Sequence, residues 1–145
     1  MGHTVKSRRL GRELVLQALY AQEFTADSLD TILENLKRSY TITPETEEYV
    51  KRLFTETVKH RDWTREEITR RLKNWDYDRV ALIDRLILQM MMVEMVYLED
   101  IPPKVSITEG VEIAKKYSTE ESSAFINGVL DSLYHSLDTL TQPVE

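Results

Sequence analysis

The stretch VALIDRLILQMMMVEMVYL, residues 80–98, decides the fold. It is the most apolar run in the chain, but Asp84, Arg85, Gln89 and Glu94 interrupt it, which argues against a membrane span. Val80, Ile83, Ile87, Met90, Met91 and Val93 leave a helix here apolar on most sides. That is the pattern of a helix wrapped by other helices. Asp78 stands where a capping residue would, and Ile101-Pro102-Pro103 ends the segment, because a residue before proline is steered away from helical backbone. The run Met90-Met91-Met92 reads as core filler rather than as an adaptable groove.

Working outward, every flanking segment also has helical period. On the N-terminal side a first helix is expected over Arg8 to Phe24, with Leu10, Leu14, Val15, Ala18 and Ala21 as its apolar stripe. A short helix follows around Leu29, Ile32, Leu33 and Leu36. Thr43-Pro44 starts a third, since proline is tolerated in a first turn, and Val50, Leu53, Phe54, Thr57 and Val58 form its stripe. Thr64 with Glu67 reads as a capping box, continued by Ile68, Leu72 and Trp75. On the C-terminal side, Ser106 with Glu109 and Ser118 with Glu121 repeat that pattern and open two more helices. Ile126, Val129, Leu130, Leu133 and Leu137 pack the last one. No segment alternates with period two. The expected fold is therefore all-α, a compact bundle of about seven helices in one domain over residues 1–145, with 1–7 and 139–145 flexible.

Composition bounds the function. The chain has 145 residues, enough for one core. It has no cysteine, which excludes disulfides, thiolate metal sites and cysteine nucleophiles and suits the cytoplasm. Met1 to Val5 lacks the apolar run of a signal peptide. The net charge is −6, yet Lys6, Arg8, Arg9 and Arg12 give the first twelve residues +4, which leaves −10 on the rest. A basic end on an acidic body suits two partners, one anionic and one basic.

Little points to catalysis. His3, His60 and His135 lie in separate segments without metal-ligand spacing and read as solvent-facing. The pairs Glu47-Glu48, Glu66-Glu67 and Glu120-Glu121 sit in or near expected first turns, where carboxylates offset the helix dipole. The four glycines are too scattered for a phosphate-cradling loop, and no serine has a nucleophile-elbow setting. No catalytic residue, metal or cofactor is expected.

The first helix is the better candidate. At 100° per residue, Arg9, Arg12, Leu16 and Tyr20 fall on the side away from Leu14 and Ala18. Lys6 and Arg8 stand just before or beside that face. Cations that follow phosphates, with a ring that accepts a base, are how single-stranded RNA is held. Arginines at a helix N-terminus also oppose the macrodipole, so helix stability alone does not explain them.

These residues resemble the NusB family. Ser7-Arg8-Arg9-Leu10-Gly11-Arg12-Glu13 with Gln17-Ala18-Leu19-Tyr20 is similar to its opening. Asp84-Arg85 resembles its acid-Arg pair, and Ile101-Pro102 with Ile107-Thr108-Glu109 and Glu112-Ile113-Ala114-Lys115-Lys116-Tyr117 resembles its proline and helix block. Phe125-Ile126-Asn127-Gly128-Val129-Leu130-Asp131 is the most specific match, and the motifs stand in the family's order from about Ser7 to Leu137. Leu86 and Gln89 depart from an asparagine and an arginine common in the family, which puts any function of those two positions in doubt.

The resemblance implies a transcription antitermination factor and no enzyme. It implies pairing with NusE, a small-subunit ribosomal protein, on the boxA segment of nascent RNA. With other Nus factors the pair keeps RNA polymerase elongating through terminators, notably in ribosomal RNA operons. It places RNA contacts on Lys6, Arg8, Arg9, Arg12, Tyr20 and Phe125, and partner contacts near Asp84 and Glu121. Phe125 stands at the edge of its stripe beside Val129, which leaves two readings open, a half-exposed ring available to a base or a core phenylalanine. Two other readings remain: the NusB-like N-terminal domain of a ribosomal RNA cytosine methyltransferase, which needs a cofactor domain downstream, and a helical adaptor that binds only protein.

Overall fold

A computed structural model describes residues 3–5, 7–73 and 75–137. The chain forms two compact units, Met1–Lys59 and His60–Glu145.

The first unit holds α1 (Arg8–Phe24), α2 (Leu29–Lys37) and α3 (Pro44–Lys59), with two short strands, β1 (His3–Val5) and β2 (Tyr40–Ile42). Ser7 caps α1 by accepting the Leu10 N–H at 3.2 Å, and Ser28 caps α2 by accepting from Thr31 at 3.2 Å. Pro44 occupies the first position of α3, as expected. α1 packs on α3, and the apolar residues of both are buried, among them Leu14, Val15, Leu19, Val50, Leu53 and Phe54. Gly11 lets the two helices close, because a Cβ there would stand 3.2 Å from both Thr46 and Tyr49 side chains. Lys37 and Glu47 tie α2 to α3 with an ion pair of 2.6 Å, to which Lys51 adds 3.2 Å. The hydrogen bond from Lys37 holds the Glu47 carboxyl below its ordinary value, and the same bond raises Lys37.

The strands are the departure from an all-helical chain. β1 and β2 run parallel, with Val5 opposite Ile42. A parallel pair needs a long crossover, which α1 and α2 supply. Three residues are too few to show period two, so the sequence gives no warning of them. The flexible start expected over 1–7 thus meets a paired strand at His3–Val5. Lys6 and the tail expected over 139–145 lie outside the described residues.

The second unit holds α4 (Arg61–Arg71), a single 3-10 turn at Tyr77–Arg79, α5 (Leu82–Tyr97), α6 (Pro103–Tyr117) and α7 (Glu120–His135). α5 is packed by α4, α6 and α7. Its residues 86–95 are all buried, Met90, Met91 and Met92 completely. The stretch quoted first is therefore the wrapped helix its pattern demanded. At Gly110 a Cβ would meet Leu130 at 3.0 Å and Met91 at 3.1 Å, so this glycine fits α6 tightly against α5 and α7. The fully buried Glu94 accepts a hydrogen bond from Ser106 at 2.8 Å. Among the described residues, no helix is long and apolar enough to cross a membrane.

Several expected caps are displaced. Asp78 lies in the 3-10 turn and faces Arg85 at 3.7 Å and Arg65 at 3.9 Å, while α5 starts after Ala81 without a side-chain cap. Thr64 and Ser106 stand inside α4 and α6, whose first residues are Arg61 and Pro103. Thr64 donates to the Arg61 carbonyl at 3.0 Å. α7 is capped one residue later than expected, by Thr119, which accepts from the Ser122 N–H at 3.0 Å. Trp75 lies beyond the end of α4 and is exposed.

Candidate nucleic-acid interface

In the first unit the candidate residues sit on α1. Arg8 and Arg9 are exposed in its first turn, where no acid stands. Tyr20, 42% exposed, lies three turns further on and touches the ring of Phe24, with centroids 4.9 Å apart. Arg12 corrects the helix-wheel reading. It is only 3% exposed, and Leu16 beside it is buried too. At 100° per residue the buried apolar residues 14, 15, 16, 18 and 19 spread over about 200° of the helix, so its middle is covered on more than one side rather than along one stripe. Leu10, placed in that stripe, is instead 39% exposed. The Arg12 guanidinium stands over the Tyr49 ring at 5.6 Å, and Arg8 approaches the same ring at 5.3 Å. Tyr49 thereby offers its electron-rich face to two cations of the basic helix end.

In the second unit the candidate residues are Phe125, Asp84 and Glu121, and the structure brings them together. Phe125 is half-buried, so of its two readings the half-exposed ring stands, and its ring centre lies 6.3 Å from that of Trp75. Phe125 lines a hollow of about 250 Å³, lined also by Trp75, Val80, Asp84, Glu121 and Ser122. Asp84 is 6% exposed; its Oδ2 accepts from Ser122 Oγ at 2.7 Å, and its buried Oδ1 has no hydrogen-bond partner among the described residues. Phe125 also lines a second hollow of about 520 Å³, whose lining includes Arg70, Arg71, Lys73, Gly128 and Ser132. The sequence reading missed these cations and Trp75. The run Arg70-Arg71-Leu72-Lys73 was the available signal.

Other expected residues have structural partners. Gln89, buried in α5, donates to the Tyr77 hydroxyl at 2.7 Å. The Tyr77 ring in turn carries Arg65 at 4.6 Å and Arg85 at 5.3 Å. Gln89 thus ties the 3-10 turn to α5, and Leu86 is wholly buried. His60 does not face solvent freely, because it stacks on Tyr97 at 3.8 Å. His135 does have a carboxylate at i−4, Asp131, at 3.3 Å. Glu67 lies mid-helix, buried against Arg70 and Arg71, rather than at a first turn. Among the described residues, no group of three His, Asp or Glu side chains could hold a metal ion.

Seven α-helices among the described residues, a basic helix start and a half-exposed aromatic ring shared by an acidic and a basic hollow define a small helical protein equipped for binding. The chain belongs to the NusB family, whose model matches residues 9–135. It is 41% identical to the transcription antitermination protein NusB of Salinibacter ruber, over 89% of this chain and 81% of that one. The Geobacter sulfurreducens protein of the same description is 40% identical over 90% of this chain and 96% of that one. A third, from Chloroherpeton thalassium, is 35% identical over 90% of this chain, which spans 63% of that relative's length. Among solved structures, T. maritima NusB superimposes with a TM-score of 0.78 at 33% identity, over 91% of each chain. A chain in a complex of antitermination factors NusB and NusE with double-stranded RNA has the same fold, with a TM-score of 0.78 at 23% identity over 89% of this chain and 96% of that one.

Proposed function

We propose that this chain is a transcription antitermination factor that holds a boxA-like single strand of nascent RNA jointly with NusE. In complex with other Nus factors and RNA polymerase it promotes reading through terminators, notably in ribosomal RNA operons. It acts in the cytoplasm by binding alone, with no cofactor.

The observation that carries this reading is the exposed Arg8, Arg9 and Tyr20 on one helix of a NusB-family chain. Arginine donates several N–H groups to phosphate oxygens, and a phenol ring gives a base a face to stack on. Lys6 precedes that helix in sequence and adds a fourth cation. Buried Arg12 acts through its charge and by holding Tyr49, rather than by touching a phosphate. In the second unit Phe125 offers a further stacking ring, exposed Glu121 presents a carboxylate to a basic partner such as a ribosomal protein, and buried Asp84 adds its negative charge from behind the hollow's surface.

The test is a titration of labelled boxA-like RNA into the protein, with and without NusE, for wild type and for Arg8→Ala with Arg9→Ala. Wild type binds, and the double variant binds at least several-fold more weakly with its helix content intact. Equal binding by both would remove α1 from the interface. NusE binding without any RNA binding would favour a protein-only adaptor.

A further inference from the structure

We infer that the hollow between the end of α4 and α7 seats the sugar-phosphate backbone of the RNA whose base meets Phe125. This rests on the proposed function and adds Arg70, Lys73 and Gly128 to it.

The first argument is charge. Arg70, Arg71 and Lys73 line the hollow, and the carboxylate paired with them is Glu67. Three positive charges less one negative leave +2. The end of α4 needs only about half a charge to offset its dipole. The three cations differ in freedom. Arg71 is spent on structure: its Nη1 donates to the Glu67 carbonyl and carboxylate at 3.0 and 2.9 Å, its Nε to Ser132 at 3.0 Å and its Nη2 to Ser136 at 3.1 Å. Arg70 meets Glu67 through Nη1 alone at 3.0 Å and is 64% exposed, so other N–H groups of its fork remain for an incoming anion. Lys73 lies past the helix end and is exposed. Arg71 thus anchors the wall while Arg70 and Lys73 present their charge.

The second argument is shape. Gly128 stands in the middle of α7, where glycine weakens a helix. At Gly11 and Gly110 the glycine answers to packing, since a Cβ would crowd a neighbouring helix. At Gly128 a Cβ would meet nothing within 4 Å. The chain's own packing therefore does not ask for a glycine there. Close approach of another molecule does, and Gly128 is part of the hollow's lining. Cations beside a half-exposed aromatic ring fit a nucleic-acid strand, with phosphates on the charges and a base on the ring. A basic protein would be repelled by the same cations, which assigns the hollow to RNA.

The experiment measures binding of labelled boxA-like RNA, in the presence of NusE and at several salt concentrations, to wild type, Gly128→Ala, Gly128→Leu, Arg70→Gln and Lys73→Gln. Gly128→Ala melts no lower than wild type, because alanine is the better helix former and has room. Gly128→Leu keeps its helix content and its NusE binding but loses roughly tenfold or more in RNA affinity. Arg70→Gln and Lys73→Gln each flatten the slope of log affinity against log salt by about 0.7, the value for one single-strand phosphate contact. Wild-type affinity and salt slope in Gly128→Leu, Arg70→Gln and Lys73→Gln would overturn the inference, while a loss in Tyr20→Ala measured alongside would leave the proposed function standing. Loss of NusE binding but not RNA binding in Gly128→Leu would give the hollow to protein and overturn it as well. No RNA binding by wild type would end both readings.

Discussion

The guanidinium of Arg12 stands 5.6 Å from the centre of the Tyr49 ring, and the residue that carries this permanent charge is almost wholly buried. A charge kept from water must recover its solvation inside the protein, and the aromatic face of α3 supplies part of it. The cluster of basic residues at the start of α1 is therefore two things at once. Arg8 and Arg9 form a surface, and Arg12 is part of the packing of α1 on α3.

Alanine substitutions should separate these roles. Arg12→Ala lowers folding stability by about 1–3 kcal/mol, through the lost cation–π contact and the packing of its stem. Arg9→Ala, on the surface, changes stability by no more than about 0.5 kcal/mol. Thermal melts of the two single variants check this. Equal melting temperatures would mean that the Arg12 charge contributes nothing to the fold.

Phe125 should show the opposite balance. Its ring is half-buried against Trp75 and the residue lines two hollows, so Phe125→Ala removes less than the about 3–5 kcal/mol of a core phenylalanine. If a base stacks there, RNA binding falls by about 1–3 kcal/mol. Melts and RNA titrations on the same preparation decide. A stable variant with unchanged RNA affinity would exclude Phe125 from the interface.

The ion pair between Lys37 and Glu47 gives the first unit a pH signature. The Glu47 carboxyl is held below its ordinary value of 4.5, so its contribution is fully present above that value and is lost as pH falls through the lower folded one. Lys37 is raised from 10.5, so its share is present below that value and is lost as pH rises past the folded one. Both side chains are partly exposed, so added salt weakens the effect. Glu47→Gln is therefore less stable than wild type at neutral pH, and the two melting curves converge in acid below 4.5. Parallel curves down to the lowest pH would show that the pair contributes nothing.

Much of this was legible beforehand. Residues 80–98 announce the buried α5 because apolar side chains around a whole helix leave no other solution. α1 runs from Arg8 to Phe24, as its helical period indicates, because periodicity is a local signal, while the Ser7 cap is seen only in the fold. The errors came where tertiary packing decides. A helix wheel places Arg12 and Leu16 opposite Leu14, but α1 is covered on more than one side. Capping-box spacing at Thr64 and Ser106 is real, yet the N-caps fall four residues earlier, at His60 and Pro102, and both hydroxyls are spent inside the unit. The parallel strands were too short for any pattern. Of the interface, Asp84, Glu121 and Phe125 are named by family motifs as separate contacts, while their meeting in one hollow, and the approach of Trp75, Arg70 and Lys73 to Phe125, come only through the fold.

The proposed partner surface is tested at Asp84 and Glu121. Asp84 is buried and accepts from Ser122, so a lysine there would disturb α7 as well as any partner. Asp84→Asn keeps an acceptor for Ser122 and removes only the charge. Together with Glu121→Gln it weakens NusE binding by about 2 kcal/mol or more, in the range for a close charge pair, and leaves RNA binding by the free protein unchanged or slightly tighter. Calorimetric titration with NusE checks it, and unchanged affinity in the double variant would move the partner surface elsewhere.

If this chain, whose residues beyond the first twelve carry −10, holds RNA and a basic partner as one unit, the two ligands must bind with positive coupling. The direct measurement is the affinity of boxA-like RNA for the protein alone and for the protein saturated with NusE, at one salt concentration. A basic partner seated on the acidic surface cancels repulsion of phosphates, so NusE should tighten RNA binding by about 5- to 150-fold, and RNA should tighten NusE binding by the same factor. Equal RNA affinity with and without NusE would contradict the account.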